Sequence, residues 1–253
     1  MKNNIQSWSD YAIEYNSSSM YSIDFIHTGL GLSGINPKDL VCNTETVLDV
    51  GCGNGLNTFL ISQIASGKTI GIDPVKININ EAVKKYSRKN LEYFGVGYDK
   101  CLAICKNTNF DLITFFGSLD YIILNQEFFS ILNKLTHQFS RCYISKFHPF
   151  WTTLFKGDVE RREIMPYFLN GRVDIIEYGN KEKIRFFRYH YSLSSILSLF
   201  NNNGWLLTKL EEPKPDMKKS AFAYTGYDND PELAERLEKI PMTLILEFKR
   251  EAL

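Results

Sequence analysis

The residues best suited to chemistry lie in one glycine-rich segment and in an acid that follows it. The segment reads Val47-Leu-Asp-Val-Gly-Cys-Gly-Asn-Gly55, an apolar run that leads into three glycines. Glycines at this spacing allow a sharp turn and let a ligand approach the backbone closely. Asp73 follows Gly53 by 20 residues, and an acid at that distance can accept hydrogen bonds from both ribose hydroxyls of a nucleoside. These features predict a nucleoside site at the ends of two strands.

The glycine loop differs from the dinucleotide-binding fingerprint in two ways. That fingerprint has the form G-x-G-x-x-G/A, but Leu56 takes the position of the third small residue here. Asp49, inside the end of the apolar run, would repel a pyrophosphate and attract an ammonium or sulfonium group. The loop therefore favours a positively charged nucleoside over NAD.

The composition limits the class of protein and its partners. The 253 residues include 29 Lys and Arg and 29 Asp and Glu, so the formal net charge is zero and a nucleic-acid partner is disfavoured. Hydrophobic residues make up 44% of the chain, which excludes gross disorder. We expect no membrane segment and a cytoplasmic location, because long apolar runs and the apolar core of a signal peptide are both missing. The five cysteines are scattered without a C-x-x-C pair, so we expect reduced thiols and no metal site.

Short apolar segments alternate with amphipathic ones along most of the chain. We predict seven strands, at 46–50, 69–72, 91–96, 110–116, 142–147, 205–210 and 243–248, with helices between most of them. This alternation indicates right-handed βαβ units and a parallel sheet covered on both faces, which is the doubly wound α/β class. We expect one domain over residues 1–253, with its α/β core at 41–147 and 191–253.

Two segments fall outside this alternation. Residues 1–40 are predicted to form a helical cap, in which a second helix covers Tyr21–Leu30. Residues 148–190 are predicted to be an insertion that holds a β-hairpin made of Arg172–Tyr178 and Lys183–Tyr189.

Three sequence segments, VLDVGCGNG, GIDP and FDLITFFGSLDYI, resemble the class I S-adenosylmethionine-dependent methyltransferases. The likeness is greatest to small-molecule methyltransferases of the ubiquinone and menaquinone kind, and it extends over residues 42–248. It implies a Rossmann-like seven-stranded sheet, mostly parallel with an antiparallel last strand. It also implies S-adenosyl-L-methionine as the cofactor and S-adenosyl-L-homocysteine as the product.

The same resemblance implies which residues contact the cofactor. Asp49, Gly51, Gly53 and Asn54 would lie beside the methionine part, Asp73 would hold the ribose, Pro74 would pack on the adenine, and Ser118 would line the methionine side. Either Tyr98 or Asp99 would take the position from which relatives contact the adenine amine, and Asp99 is the candidate we retain. Many relatives have a His-His pair where this chain has Asp120-Tyr121.

Methyl transfer from a sulfonium is an in-line displacement, so the protein mainly has to align the acceptor with the methyl group. An O–H or N–H acceptor also loses a proton, and histidine is the usual base. The catalytic candidates are His148, His190 and Asp120, whereas His137 is predicted to lie in a helix with a packing role. The candidates to contact the acceptor or to cover the cofactor are Tyr11, Tyr15, Tyr21, His27 and Tyr191.

The sequence therefore predicts an enzyme that methylates O or N of a small molecule, with an aromatic compound or a secondary metabolite as the expected acceptor. We expect that acceptor, rather than nucleic acid or a membrane, to be the partner, and we expect a monomer or a homodimer. A non-catalytic binding protein of the same fold is one alternative. A nucleotide-dependent oxidoreductase is a less favoured one, because the third glycine of the dinucleotide fingerprint is missing.

Overall fold

The strands of the protein form one large sheet and one separate hairpin. The structure, a computed structural model, describes residues 4–17, 23–29, 32–43, 45–105, 108–154, 166–178, 183–216, 235 and 238–251. The large sheet contains β1 (Val47–Val50), β2 (Thr69–Ile72), β3 (Leu91–Phe94), β4 (Phe110–Phe116), β5 (Thr136–Phe147), β8 (Trp205–Glu211) and β9 (Thr243–Arg250). The hairpin contains β6 (Gly171–Tyr178) and β7 (Lys183–His190).

The helices lie between the strands in most of the chain. They are α1 (Asn4–Ser17), α2 (Pro37–Leu40), α3 (Leu56–Ile64), α4 (Lys76–Lys85), α5 (Cys101–Ile104), α6 (Gln126–Lys134), α7 (Pro149–Leu154) and α8 (Leu193–Asn201). Within the described residues, no helix has the length and apolarity needed to cross a membrane.

The order of strands in the large sheet is β3-β2-β1-β4-β5-β9-β8. β1 pairs in parallel with both β2 and β4, so the carboxyl ends of these strands lie at one edge of the sheet. β9 runs antiparallel between β5 and β8. This arrangement confirms the predicted fold, including the antiparallel last strand. The hairpin predicted after the fifth strand is confirmed as well.

Alternate residues of the strands face two different apolar layers. Val47 of β1 packs in the same cluster as Ile61 of α3, on one face of the sheet. Its neighbour Leu48 belongs to the opposite cluster, with Phe129 of α6 and Phe200 of α8. Both clusters are buried, which fixes the register of the strands, because a slip of one residue would exchange the two faces.

The second helix predicted for the N-terminal segment is wrong. The described residues 23–29 are not helical, and Ile26 instead forms an antiparallel bridge with Ile35 through hydrogen bonds of 2.9 and 3.0 Å. Ile26 is fully buried. Local apolar spacing could not reveal this bridge, because the residue that pairs with Ile26 lies beyond the intervening glycines.

The helical placement of His137 is also wrong. β5 begins at Thr136, so that the chain enters the strand directly after α6. The Nε2 atom of His137 lies 2.9 Å from Asp111 Oδ1 on β4, at the amino edge of the sheet. The polar residues at the start of β5 pair with β4 through an irregular register, and this concealed the strand from an analysis of periodicity.

Helix α1 packs against both the hairpin and α4. The Asn4 side chain donates to the Phe187 carbonyl at 2.7 Å and accepts from the Phe187 N–H at 2.9 Å, in the way that another strand would. The Trp8 ring lies 4.9 Å from the Phe186 ring and 5.3 Å from the Tyr121 ring. Since Tyr121 follows β4, these contacts place α1 over the carboxyl side of the sheet.

Candidate active site

The glycine loop connects β1 to α3 and leaves one position open. Gly51, Gly53 and Gly55 all have positive φ, at 73°, 55° and 85°. A Cβ atom on Gly51 would lie 2.3 Å from the Ser118 Cβ, so the two loops are in close contact there. A Cβ atom on Gly53 would meet no atom within 4 Å among the described residues. The Gly53 backbone is thus accessible to a ligand.

Asp73 is held at the end of β2 by backbone donors. Its carboxylate accepts from the Gly53 N–H at 3.0 Å and from the Val75 N–H at 2.8 Å. Burial raises the pKa of Asp73, while these two N–H groups oppose that shift. Each carboxylate oxygen can accept a second hydrogen bond, so the side chain is fixed in place and still able to bind hydroxyl groups.

Asp49 is held by hydroxyl donors instead. Its side chain lies beneath the glycine loop with 1% exposure, and it accepts from Thr58 of α3 at 2.6 Å and from Thr114 of β4 at 2.8 Å. Burial raises the pKa of Asp49 to about 6, and the nearby charge of Asp73 adds to the shift. Among the described residues, neither carboxylate forms an ion pair with a Lys, Arg or His side chain. This pair of carboxylates favours a cationic ligand.

The other cofactor candidates lie around the same loop. Asn54 accepts from the Leu56 N–H at 3.4 Å, and the Ser118 hydroxyl donates to the Val50 carbonyl. Pro74 is half-buried next to Asp73. Tyr98 and Asp99 are the two candidates to contact the adenine amine. The Tyr98 hydroxyl donates to the Phe128 carbonyl inside the core, whereas Asp99 is exposed, so burial favours Asp99.

A buried ion pair lies beyond Ser118, where β4 and β5 end. Lys146 Nζ lies 2.7 Å from Asp120 Oδ1, and the two side chains are 4% and 5% exposed. Lys146 also donates to the Phe147 carbonyl at 2.9 Å, and the Phe147 N–H donates to Asp120 at 3.3 Å. Asp120 was predicted, but sequence reasoning missed Lys146. The available signal was a lysine within an otherwise apolar strand, two residues before His148.

Both ring nitrogens of His148 are engaged. Nδ1 accepts from the Phe150 N–H at 3.1 Å in the first turn of α7, so Nε2 carries the proton that it donates to Glu212 at 2.7 Å. Burial lowers the pKa of His148, although Glu212 opposes the shift. In this arrangement the ring caps a helix and has no lone pair for an acceptor.

The ring of His190 is held through one nitrogen. Nε2 lies 2.9 Å from the Tyr167 carbonyl, which can only accept, so Nε2 carries the proton and Nδ1 carries the lone pair. Within the described residues, no hydrogen bond engages Nδ1. Burial lowers the pKa of His190, and Lys146 lowers it further while Asp120 raises it. His190 is therefore a neutral base at pH 7.

The candidates to contact the acceptor or to cover the cofactor lie in different parts of the structure. Tyr11 packs edge-on against Phe186 of the hairpin, and the Tyr191 hydroxyl accepts from the Leu124 N–H at 3.0 Å in the core. The backbone of His27 is bound on both sides by the Asn57 side chain, at 2.9 Å each, which ties this segment to α3. Tyr21 and the side chain of Tyr15 lie outside the described residues.

A family model described as a methyltransferase domain matches residues 43–168, which include the glycine loop, Asp73 and the buried ion pair. The chain belongs to the class I S-adenosylmethionine-dependent methyltransferases. The methyltransferase is similar to a mitochondrial ubiquinone biosynthesis O-methyltransferase of Dictyostelium discoideum, at 27% identity over 120 residues. This match covers 44% of the chain, and the chain spans only 37% of that relative's length.

Two solved structures share the fold of the methyltransferase. An S-adenosylmethionine-dependent methyltransferase from Mesorhizobium loti has a TM-score of 0.62 at 18% identity, with 85% of this chain and 95% of that chain covered. The 1,6-didemethyltoxoflavin-N1-methyltransferase of Burkholderia thailandensis, solved with its substrate and S-adenosylhomocysteine, has a TM-score of 0.55 at 12% identity. That likeness covers 98% of this chain and 85% of that one.

The residues at the carboxyl edge fit the cofactor of this family. Gly53 leaves its backbone open, Asp73 offers charged acceptors, and the buried Asp49 carboxylate provides negative potential without a cationic side chain beside it. S-adenosylmethionine carries two hydroxyls on its ribose and positive charge on its sulfur and its amino group. The acceptors of Asp73 match the ribose hydroxyls, and the negative charge of the site matches the positive groups of the cofactor.

Proposed function

We propose that this protein transfers the methyl group of S-adenosylmethionine to an oxygen or nitrogen atom of a small molecule. The observation that carries the proposal is the pair of buried carboxylates, Asp49 and Asp73, on either side of an open glycine loop and without a cationic side chain among the described residues. A pyrophosphate would be repelled there, whereas a sulfonium nucleoside is attracted.

Each part of the loop has a separate binding role in this proposal. Asp73 accepts the ribose hydroxyls, since two backbone N–H groups already hold its carboxylate. Asp49 lies behind the loop and provides negative charge near the methionine part. Pro74, Asp99, Asn54 and Ser118 complete the contacts from the ends of β2, β3, β1 and β4. When bound, the cofactor supplies an activated methyl group, and the protein supplies alignment.

His190 is the base in this proposal. Its Nδ1 atom carries a lone pair, and the ring is held in that tautomer by the Tyr167 carbonyl. His148 has no comparable lone pair, because both of its nitrogens are hydrogen-bonded. The proton of an acceptor hydroxyl or amine therefore goes to His190 Nδ1.

A small acceptor suits the elements around this edge. Helix α1 and the hairpin lie over the carboxyl side of the sheet, where the Trp8 ring contacts both Tyr121 and Phe186. Such aromatic surfaces suit a flat acceptor. The formal net charge of zero gives no basic excess for nucleic acid.

The experiment is a methyl-transfer assay with S-adenosylmethionine labelled in its methyl group. Purified protein is incubated with pools of phenols, catechols, carboxylic acids and aromatic amines, and with transfer RNA as a separate sample. We expect label in at least one small-molecule pool and none in RNA, with loss of transfer in Asp73→Asn. Transfer to RNA alone, or no transfer to any pool by a protein that binds the cofactor, would contradict the proposal.

A further inference from the structure

We propose that the buried Lys146–Asp120 ion pair is a positioning pair, whose two charges set how readily the buried His190 ring takes up the proton of the acceptor. This inference rests on the proposed function for its chemistry. It adds Lys146, which has no other role in the account so far.

The geometry begins with the pair itself. Lys146 lies near the end of β5 and Asp120 in the turn after β4, and their charged atoms are 2.7 Å apart with almost no exposure to solvent. A buried ion pair contributes little to stability, because the loss of hydration offsets the attraction between its charges. The presence of this pair at the carboxyl edge, next to the glycine loop, therefore needs a reason other than stability.

The hairpin brings His190 to this pair. His190 is the last residue of β7, and Arg188, two residues earlier, stacks on the Phe147 ring at 4.2 Å and donates to the Tyr121 hydroxyl at 3.1 Å. These contacts hold one end of β7 against the residues that directly follow Asp120 and Lys146. Both charges of the pair consequently act on the His190 ring, with opposite signs.

The groups that act on His190 come from several elements. Lys146 belongs to β5 and Asp120 to the turn after β4. Arg188 lies two residues earlier on β7, and His148 directly follows β5. Tyr167 contributes the carbonyl that accepts from Nε2. Glu212 lies on the far side of His148, where it is bonded to that ring and partly exposed. Lys146 is thus the buried cation that lowers the pKa of His190, and Asp120 partly offsets this lowering.

The proton and electron balance explains why both charges are useful. The acceptor O–H or N–H bond breaks and its proton moves to Nδ1 of His190, while the new bond from oxygen or nitrogen to the methyl carbon forms. The carbon–sulfur bond breaks with its electron pair on sulfur, so a positive charge moves from sulfur to the imidazole. Lys146 disfavours the imidazolium and Asp120 favours it, so the two charges together set the proton affinity of a ring that burial already keeps neutral.

The test is an NMR titration of histidine-labelled protein, which needs neither cofactor nor acceptor. The chain has four histidines, so His190→Gln assigns the signal. In the wild type we expect the pKa of His190 below its ordinary value of 6.5. In Lys146→Met it should rise by about one pH unit, and in Asp120→Asn it should fall by a smaller amount. Lys146→Arg, which retains the charge, should titrate like the wild type.

The control is an exposed Lys–Glu pair at the opposite edge of the sheet. Lys68 and Glu92 form an exposed ion pair of 3.1 Å beside β2 and β3, and Lys68→Met should leave the His190 titration unchanged. If a single variant does not fold, Lys146→Met/Asp120→Asn removes both buried charges. His190 should then titrate above the wild type, because the lysine has the larger effect.

Two results would overturn the inference. One is a wild-type His190 that titrates at or above 6.5, and the other is a shift of the same sign, or no shift, in the two single variants. The titration is done without cofactor, so a negative result in it says nothing against cofactor binding. In the same way, a protein that fails to bind the cofactor can still be titrated and the result interpreted. Once an acceptor is found, the acid limb of kcat/KM should move up in pH in Lys146→Met, whereas the affinity for the cofactor stays constant.

Discussion

Asp49 and Asp73 differ in what holds them, and this difference sets their roles. Asp73 is bound by backbone N–H groups of the glycine loop and of the first turn after β2, with a further hydrogen bond from the Asn78 side chain. Asp49 accepts two threonine hydroxyls and ties β1 to α3 and β4. We therefore propose that Asp73 contacts the cofactor directly and that Asp49 acts through its charge.

Replacement of Asp73 by Ala should weaken S-adenosylhomocysteine binding by about a hundredfold or more, because two hydrogen bonds to a charged acceptor are lost. Calorimetric titration measures this affinity. Glu92→Gln, at the amino edge of the sheet, is the matched control and should bind like the wild type. An unchanged affinity in Asp73→Ala would remove the ribose assignment.

Binding of the cofactor should weaken as the pH falls through about 6, because a cationic ligand selects the ionised form of Asp49. The ligand-free protein has the opposite dependence, since a raised pKa means that this group contributes to stability below about 3.8 and loses that contribution as the pH rises through 6. The stabilisation by ligand, measured as a shift in Tm, should therefore grow from pH 5 to pH 7. In Asp49→Asn most of this dependence should vanish, and a flat wild-type profile would argue against a charged role.

His190→Gln should slow methyl transfer by about 10² to 10⁴, with the affinity for S-adenosylhomocysteine unchanged. His148→Gln should affect turnover by less than about tenfold, because the ring already uses both nitrogens on Phe150 and Glu212. Single-turnover rates with the acceptor found in the screen measure both effects. Equal losses in the two variants would contradict the distinction made between these histidines.

At the scale of elements, the buried strands were predictable and the non-local contacts were not. β2 and β4 begin and end at the predicted residues, because fully buried apolar runs are read directly from the sequence. The Ile26–Ile35 bridge and the start of β5 were missed, since each depends on pairing with a residue outside the local apolar pattern. Lys146 was missed for the same reason, because its partner Asp120 lies in the turn after a different strand. The loop glycines and Asp73 were found because their spacing is itself the signal.

Helix α1 should open independently of the sheet when its contacts with the hairpin are removed. Trp8→Ala loses ring contacts with Phe186 and Tyr121, and we expect a local loss of about 1 to 3 kcal/mol. Hydrogen exchange should show faster exchange in α1 and β7, with β1 and β4 unchanged. Ile5→Ala, at an exposed position of the same helix, is the control and should have little effect. Loss of protection throughout the sheet in Trp8→Ala would contradict an independent cap.

At the scale of the whole molecule, the strand order places the site. β1 lies between β2 and β4, so successive strands extend the sheet in opposite directions from it, and a crevice forms at its carboxyl end. One half of this edge holds the two carboxylates, and the other half holds Lys146, Asp120 and His190. This placement supports the proposal that the first half binds the cofactor and that the second half accepts the proton.

The most direct measurement is a calorimetric titration of the purified protein with S-adenosylhomocysteine, with NADH as the control ligand. The account predicts saturable binding of S-adenosylhomocysteine at one site per chain and no heat of binding from NADH. Binding of NADH without S-adenosylhomocysteine would contradict the central claim, because it would show that the glycine loop accepts a pyrophosphate beside Asp49.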